Sequence, residues 1–344
     1  MGIDRPKICV VNKTKYFKEY SDALTRCLNE KNYETKLIEE IEYSHKPDVF
    51  IIVGAHLFKN KFQNYDNIIY IGIQTEQLPT NQAGAKLYSS GRYNEFLKLY
   101  KNYDILFEWS PINYHSYKTK YSNIYFSPFS YFQEMNYSDK HPFITGEEYD
   151  VLFIGKPTGI NNRREKMLER IDNNFKLYPK SYGLWGEEKR NAILSSKICL
   201  NIHFEFSYVF ESPRIYEYIV NKKFVLSETI MNSYPFEKGI HYKTFHDFDL
   251  IDKIHYYLEN ETERKQIEND AYKVVKNFPL INTVNHMIEV FELERYNKTN
   301  RKFRFNNKLF HYTGLSYFKD LTKVYPLEHE FVKILSKIFK LKDL

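Results

Sequence analysis

The sequence predicts an α/β protein built from two Rossmann-like halves in tandem. Three observations carry that prediction. Short continuous apolar runs recur along the chain, as parallel strands covered on both faces require. Helical patterns stand between those runs. A stretch rich in charge, with Pro and Gly and no periodicity, QEMNYSDKHPFITGEE (133–148), interrupts the alternation, which then begins again.

In the first half, ICVVN (8–12) reads as a buried strand and residues 16–31 as a helix. YETKLI (33–38), DVFIIVGAH (48–56) and NIIYIGIQ (67–74) are the next strands. A helix over 90–101, YDILFEW (103–109) and NIYFSPFSYF (123–132) follow, giving an N-terminal unit at 1–135. The second half opens with YDVLFIG (149–155), a helix over 161–172, FKLYP (175–179), a helix near 187–196 and KICLNIH (197–203). Next come a helix over 210–220, with Pro213 suited to its first turn, and the strands KFVLSE (223–228) and HYKTF (241–245). Helices over 247–258, 261–277 and 280–296 complete a C-terminal unit at 149–296. Beyond it, 298–344 hold 11 Lys/Arg against four acids, so 297–344 reads as a basic helical tail packing back on the core.

A chain of 344 residues, 42% apolar and 27% charged, has the length and balance of a globular protein of about two domains. Its net charge of +6 suits anionic ligands without demanding nucleic acid. An aromatic fraction of 17% fits a Lys/Asn/Ile/Tyr/Phe-rich coding bias better than a general sugar-binding surface. Cys9, Cys27 and Cys199 lie in apolar segments without paired or metal-like spacing, as expected of inert thiols in a reducing compartment. No apolar run approaches 18 residues, and no signal-peptide core precedes the first strand. The expected location is cytoplasmic, with the basic tail offering a contact to the anionic inner membrane face or to nucleic acid.

Open parallel sheets bind ligands at the carboxyl ends of their strands, beside helix N-termini. Four places put polar residues there. In FIGKPTGINNRREK (153–166), Gly155 ends a strand, and Lys156, Arg163, Arg164 and Lys166 surround the next helix start. A small residue lets a phosphate approach the backbone and a guanidinium grips it with two hydrogen bonds. In LNIHFEFSYVF (200–210), His203 and Glu205 follow a strand, which makes His203 a candidate base. In FESPRIYEYIVNKKFVLSE (210–228), Glu211, Arg214, Tyr216, Glu217 and Glu228 form a candidate binding edge, Arg214 for a phosphate and Glu217 for ribose hydroxyls. In the first half, His56 and Glu76 sit just past strands and are candidate general bases. No Asp-x-Asp motif stands at a strand end, so neither metal nor cofactor is expected.

ESPRIYEYIVNKKFVLSE resembles the nucleotide-facing stretch of GT-B glycosyltransferases, particularly the CgeB-like spore-maturation group. YGLWGEEKRNAILSSKICLNIH before it and FEKGIHYKTFHDFDLIDKIHYYLENETERKQIENDAYKVV after it are similar to that group's flanking elements, so the resemblance spans roughly 149–292. It implies two Rossmann-like domains facing across a cleft, C-terminal helices packing back, and a C-terminal domain that binds a UDP- or GDP-sugar. Retaining members carry two glutamates with seven residues between them, the second contacting the ribose; Glu217 matches the second, while Val209 stands at the first, eight residues earlier, and Glu205 and Glu211 lie nearby. Lys156 and Arg163 stand near the family's diphosphate-holding base. The expected activity is transfer of a sugar to a glycan, wall polymer, lipid-linked carrier or DNA base. A sugar-nucleotide epimerase and a non-catalytic scaffold or coat protein are the alternatives.

Overall fold

The computed structural model describes residues 5–58, 65, 67–76, 98, 100–137, 146–158, 162–204 and 208–299, and only the backbone of 296–299. The basic tail past 299, most of the helix expected over 90–101, the centre of the 133–148 stretch and Glu205 lie outside the described residues.

Two parallel sheets carry the fold. The first has six strands, β1 (Ile8–Val11), β2 (Thr35–Ile38), β3 (Val49–Val53), β4 (Ile69–Gln74), β5 (Ile105–Glu108) and β6 (Ile124–Phe126), in the order β2-β1-β3-β4-β5-β6. β3, β4 and β5 are buried along their whole length, which is why their sequences are continuous apolar runs rather than alternating ones. α1 (Lys18–Glu30) lies over β1 and β2 and buries Tyr20, Ala23, Leu24, Cys27 and Leu28. α2 (Pro111–Tyr117) has no counterpart in the sequence reading. Seven residues are too few for a periodic signal, but Ser110 caps its Asn113 N–H and Pro111 fills its first turn.

The second sheet has four strands in the order β10-β9-β8-β7: β7 (Tyr149–Phe153), β8 (Ser196–Asn201), β9 (Phe224–Glu228) and β10 (Lys243–Phe245). The expected strand at 175–179 contracts to one bridge, Leu177 against Val151. Pro179 has no N–H to extend the ladder. With that bridge, the second sheet repeats the strand order of the first. Its helices are α3 (Arg163–Asp172), α4 (Gly186–Leu194), α5 (Ser212–Val220), α6 (Leu250–Glu259) and α7 (Glu261–Lys276). Cys9, Cys27 and Cys199 are buried and unpaired, and no described helix is long and apolar enough to cross a membrane.

The chain crosses between halves twice, side by side. On the way out, Tyr131 N–H bonds to Phe278 O at 2.8 Å, and on the way back Leu280 N–H bonds to Tyr131 O at 2.6 Å. The last helix, α8 (Leu280–Thr299), then packs on the first half, with Phe291 against Tyr33 and His286 against Phe107. One continuous core therefore runs from Val10 and Ile51 through Trp109, Phe129 and Tyr216 to Val225 and Val284.

Asn221, buried at the end of α5, ties the crossing segment down. Its Oδ1 accepts from Tyr137 N–H at 2.8 Å, and its Nδ2 donates to Met135 O at 2.8 Å and Glu217 O at 2.7 Å. Asn221→Ala strands those backbone groups, and the expected loss is about 2–3 kcal/mol of unfolding free energy in urea melts.

Candidate functional site

The carboxyl ends of β7, β8 and β9 converge on three guanidinium groups. Arg164 opens α3 on the same face as Met167, Leu168 and Ile171, so its side chain points into the domain and is almost fully buried. It donates to Ile202 O at 2.6 Å, to His203 O at 3.2 Å and to Lys156 O at 3.0 Å, satisfying carbonyls that the strands leave behind. Arg214, in the first turn of α5, donates to Asn201 Oδ1 at 2.9 Å and pairs with Glu211 at 2.6 Å. Arg163 donates to His203 O at 3.1 Å and pairs with Glu228. Phe153 lies under both Arg164 and Arg214.

Gly155 leaves room beside this cluster. A Cβ there would meet the Phe153 ring at 2.9 Å and an Arg214 nitrogen at 3.2 Å, so a side chain would crowd the guanidinium. Three guanidinium groups against the carboxylates of Glu211 and Glu228 leave a positive site. Burial first, then Arg214 and Arg163, push Arg164 down to about 10, so it stays charged near neutrality. His203 is only 3% exposed. Burial lowers its pKa to about 4, opposed by Glu211 and aided by Arg214, Arg163 and Arg164, so the ring is neutral. Its Nε2 is buried without a hydrogen-bond partner among the described residues. The exposed Lys156 sits at the rim.

The structure brings together Gly155, Arg163, His203, Glu211, Arg214 and Glu228, and places two other candidates elsewhere. Tyr216 is buried among Phe129, Phe210 and Phe236. Glu217 turns away from the arginines, pairing with Lys189 of α4 at 2.5 Å and accepting from the Tyr137 hydroxyl. Burial works to lower the Lys189 pKa, yet Glu217 and Glu19 together raise it. Arg164 is named in the sequence only as one of four bases around the helix start, without a role of its own. The signal for it was an arginine in register with an apolar helix stripe.

In the first half, Gly54, in the left-handed region at φ 74°, turns the chain after β3 and brings His56 back over the sheet. His56 Nδ1 lies 3.2 Å from Gln74 Oε1, and its Nε2 lies 3.8 Å from the Glu76 carboxylate. Gln74 Oε1 also accepts from the Thr75 N–H at 3.0 Å, which orients the amide and leaves Nε2 of His56 toward Glu76. Below them Asn113 Nδ2 donates both to Glu76 O at 2.8 Å and to the buried Glu108 at 3.0 Å. Tyr100 gives Glu108 a second hydrogen bond at 2.8 Å. This is a histidine–carboxylate pair on an ordered support, suited to proton transfer.

Residues 163–288 match the profile of a family described as glycosyl transferase-like. No protein with a curated description matches the chain. Among solved structures, the chain is similar to HepE of Anabaena, crystallised with UDP and glucose, at 9% identity and a TM-score of 0.55, covering 84% of this chain and 100% of HepE. It is also similar to sucrose-phosphate synthase of Thermosynechococcus elongatus, at 8% identity and a TM-score of 0.60, covering 84% and 99%. The two parallel sheets and these likenesses make the fold GT-B, two Rossmann-like domains facing across a cleft.

Glu108 supplies a pH-dependent stability term. Burial raises its carboxyl from 4.5 to about 8, against the opposing hydrogen bonds of Asn113 and Tyr100. The folded state therefore holds a proton that the unfolded chain has released between these values. Stability is full below the unfolded pKa and declines as pH rises toward about 8, at about 1.4 kcal/mol per pH unit for one proton. Urea melts across that range are expected to show this slope in the wild type and to lose it in Glu108→Gln.

Proposed function

We propose that this chain is a glycosyltransferase that takes a sugar from a UDP- or GDP-linked donor and passes it to an acceptor held by the first half. The observation that carries this reading is the gathering of Arg163, Arg164 and Arg214 around Gly155 at the carboxyl ends of three parallel strands. A nucleoside diphosphate is the leaving group that needs such a site, since its negative charge grows as the glycosidic bond breaks. Arg214 and Arg163 hold the diphosphate, while Arg164 fixes the backbone that carries them. His203 offers a buried neutral imidazole beside the same oxygens. His56, backed by Glu76, takes the acceptor proton. The likeness of residues 163–288 to glycosyl transferase-like domains supports the donor side, and the ESPRIYEYIV stretch supports the CgeB-like group. For Glu217 to reach a ribose, it has to exchange Lys189 and Tyr137 for the ligand.

A panel of UDP- and GDP-sugars, read by release of free nucleoside diphosphate, tests the activity. Arg214→Ala is expected to lower kcat/KM by about 10²–10³-fold, and Arg214→Lys to restore only part because it loses the planar fork. A folded Arg214→Ala variant with wild-type affinity for UDP and GDP would refute the site.

A further inference from the structure

We propose that Tyr16, Tyr182 and Trp185 form a platform for a neutral pyranose ring at the mouth between the two halves. Tyr16 comes from the turn that follows β1, whereas Tyr182 and Trp185 precede α4 in the second half. All three rings remain exposed, at 65%, 53% and 39%. They are not scattered. Tyr16 and Trp185 meet edge to face with centroids 5.1 Å apart, and the hydrogen bond that the Tyr16 phenol gives to Tyr182 holds its pKa above the ordinary value.

Their position argues for a substrate. Gly155 N–H donates to Ser181 O at 2.7 Å, so the residue before Tyr182 is bonded to the glycine that borders the arginine cluster. The platform thus adjoins the anionic-ligand site without belonging to it. Several charged side chains around the rings are already paired: Lys180 with Glu188 at 2.8 Å, Lys189 with Glu19 at 3.4 Å and Arg190 with Glu19 at 3.6 Å. A surface dominated by aromatic faces and phenol hydroxyls offers little to an ion. It fits a ring with a C–H face to lie on the aromatics and hydroxyls to bond at the edge. Rigid aromatic side chains lose little rotamer freedom on binding, which suits them to the task. The sugar belongs either to the acceptor or to the donor. The identification of that ring as a substrate rests on the glycosyltransferase reading; its binding does not.

The chain has two tryptophans, and the other, Trp109, is buried, so a ligand-induced change in emission that disappears in Trp185→Phe reports on Trp185. Oligosaccharides of glucose, galactose, mannose and N-acetylglucosamine titrated without nucleotide test the acceptor source. UDP-glucose and GDP-mannose, each compared with its free nucleotide, test the donor source. A saturable change in Trp185 emission is expected in one of these arms. By calorimetry, Trp185→Phe is expected to keep the affinity for that sugar within about threefold, whereas Trp185→Ala loses about tenfold or more, near 1.4 kcal/mol. Silence across both arms, or equal affinity in wild type and Trp185→Ala, overturns the platform. If nucleoside diphosphate is still released in that case, the glycosyltransferase reading stands and the platform alone falls.

Discussion

The arrangement at the second sheet depends on the burial of one guanidinium. Parallel strands end with carbonyl groups that have no further ladder partner, and a buried carbonyl without a donor is costly. Arg164 answers three of them from two different loops, after β7 and after β8. Because its fork is planar and stays charged when desolvated, it holds both loops in one geometry. Arg163 is then carried to the other side of the same helix start, where Glu228 and the His203 carbonyl hold it. Arg214 arrives independently from α5 and is fixed by Asn201 at the end of β8. A lysine at position 164 would put its donors on a single nitrogen and lose the planar fork that spans both loops.

The two halves meet through a different kind of contact. Apolar and aromatic side chains form one side, where Phe129, backed by Trp109 and Tyr20 of its own half, packs on Tyr216. Toward the mouth the contact becomes ionic, through Lys189 and Arg190 with Glu19. Hydrophobic packing without directional bonds tolerates small rotations, whereas the partly buried ion pair has a short range and a defined geometry.

Much of the architecture was legible because each buried strand must be apolar on both faces, so 49–53 and 69–74 announce themselves. The short α2 and the single bridge at Leu177 were not, since neither is long enough to impose a period. At the site, Gly155, Arg214 and the pair His56 and Glu76 could be read from their places at strand ends. The partners of Glu217 could not, because Tyr137 is 80 residues away and only the fold brings the two together. Arg164 lay between these cases: a cation in register with Met167, Leu168 and Ile171 marks a buried charge, but its three carbonyl partners appear only once β7 and β8 are side by side.

The return of α8 to the first half has a consequence for how the molecule comes into being. Val284, Met287 and Phe291 complete the apolar layer beside Tyr33 and Phe107, although they are nearly the last described residues of the chain. A ribosome delivers the first sheet long before these side chains exist. The first half must wait, with one flank of its core uncovered, until the second half has been made and the chain has crossed back. Folding here runs against the simple order of N-terminal domain first, and the late helix is the piece that seals the early domain.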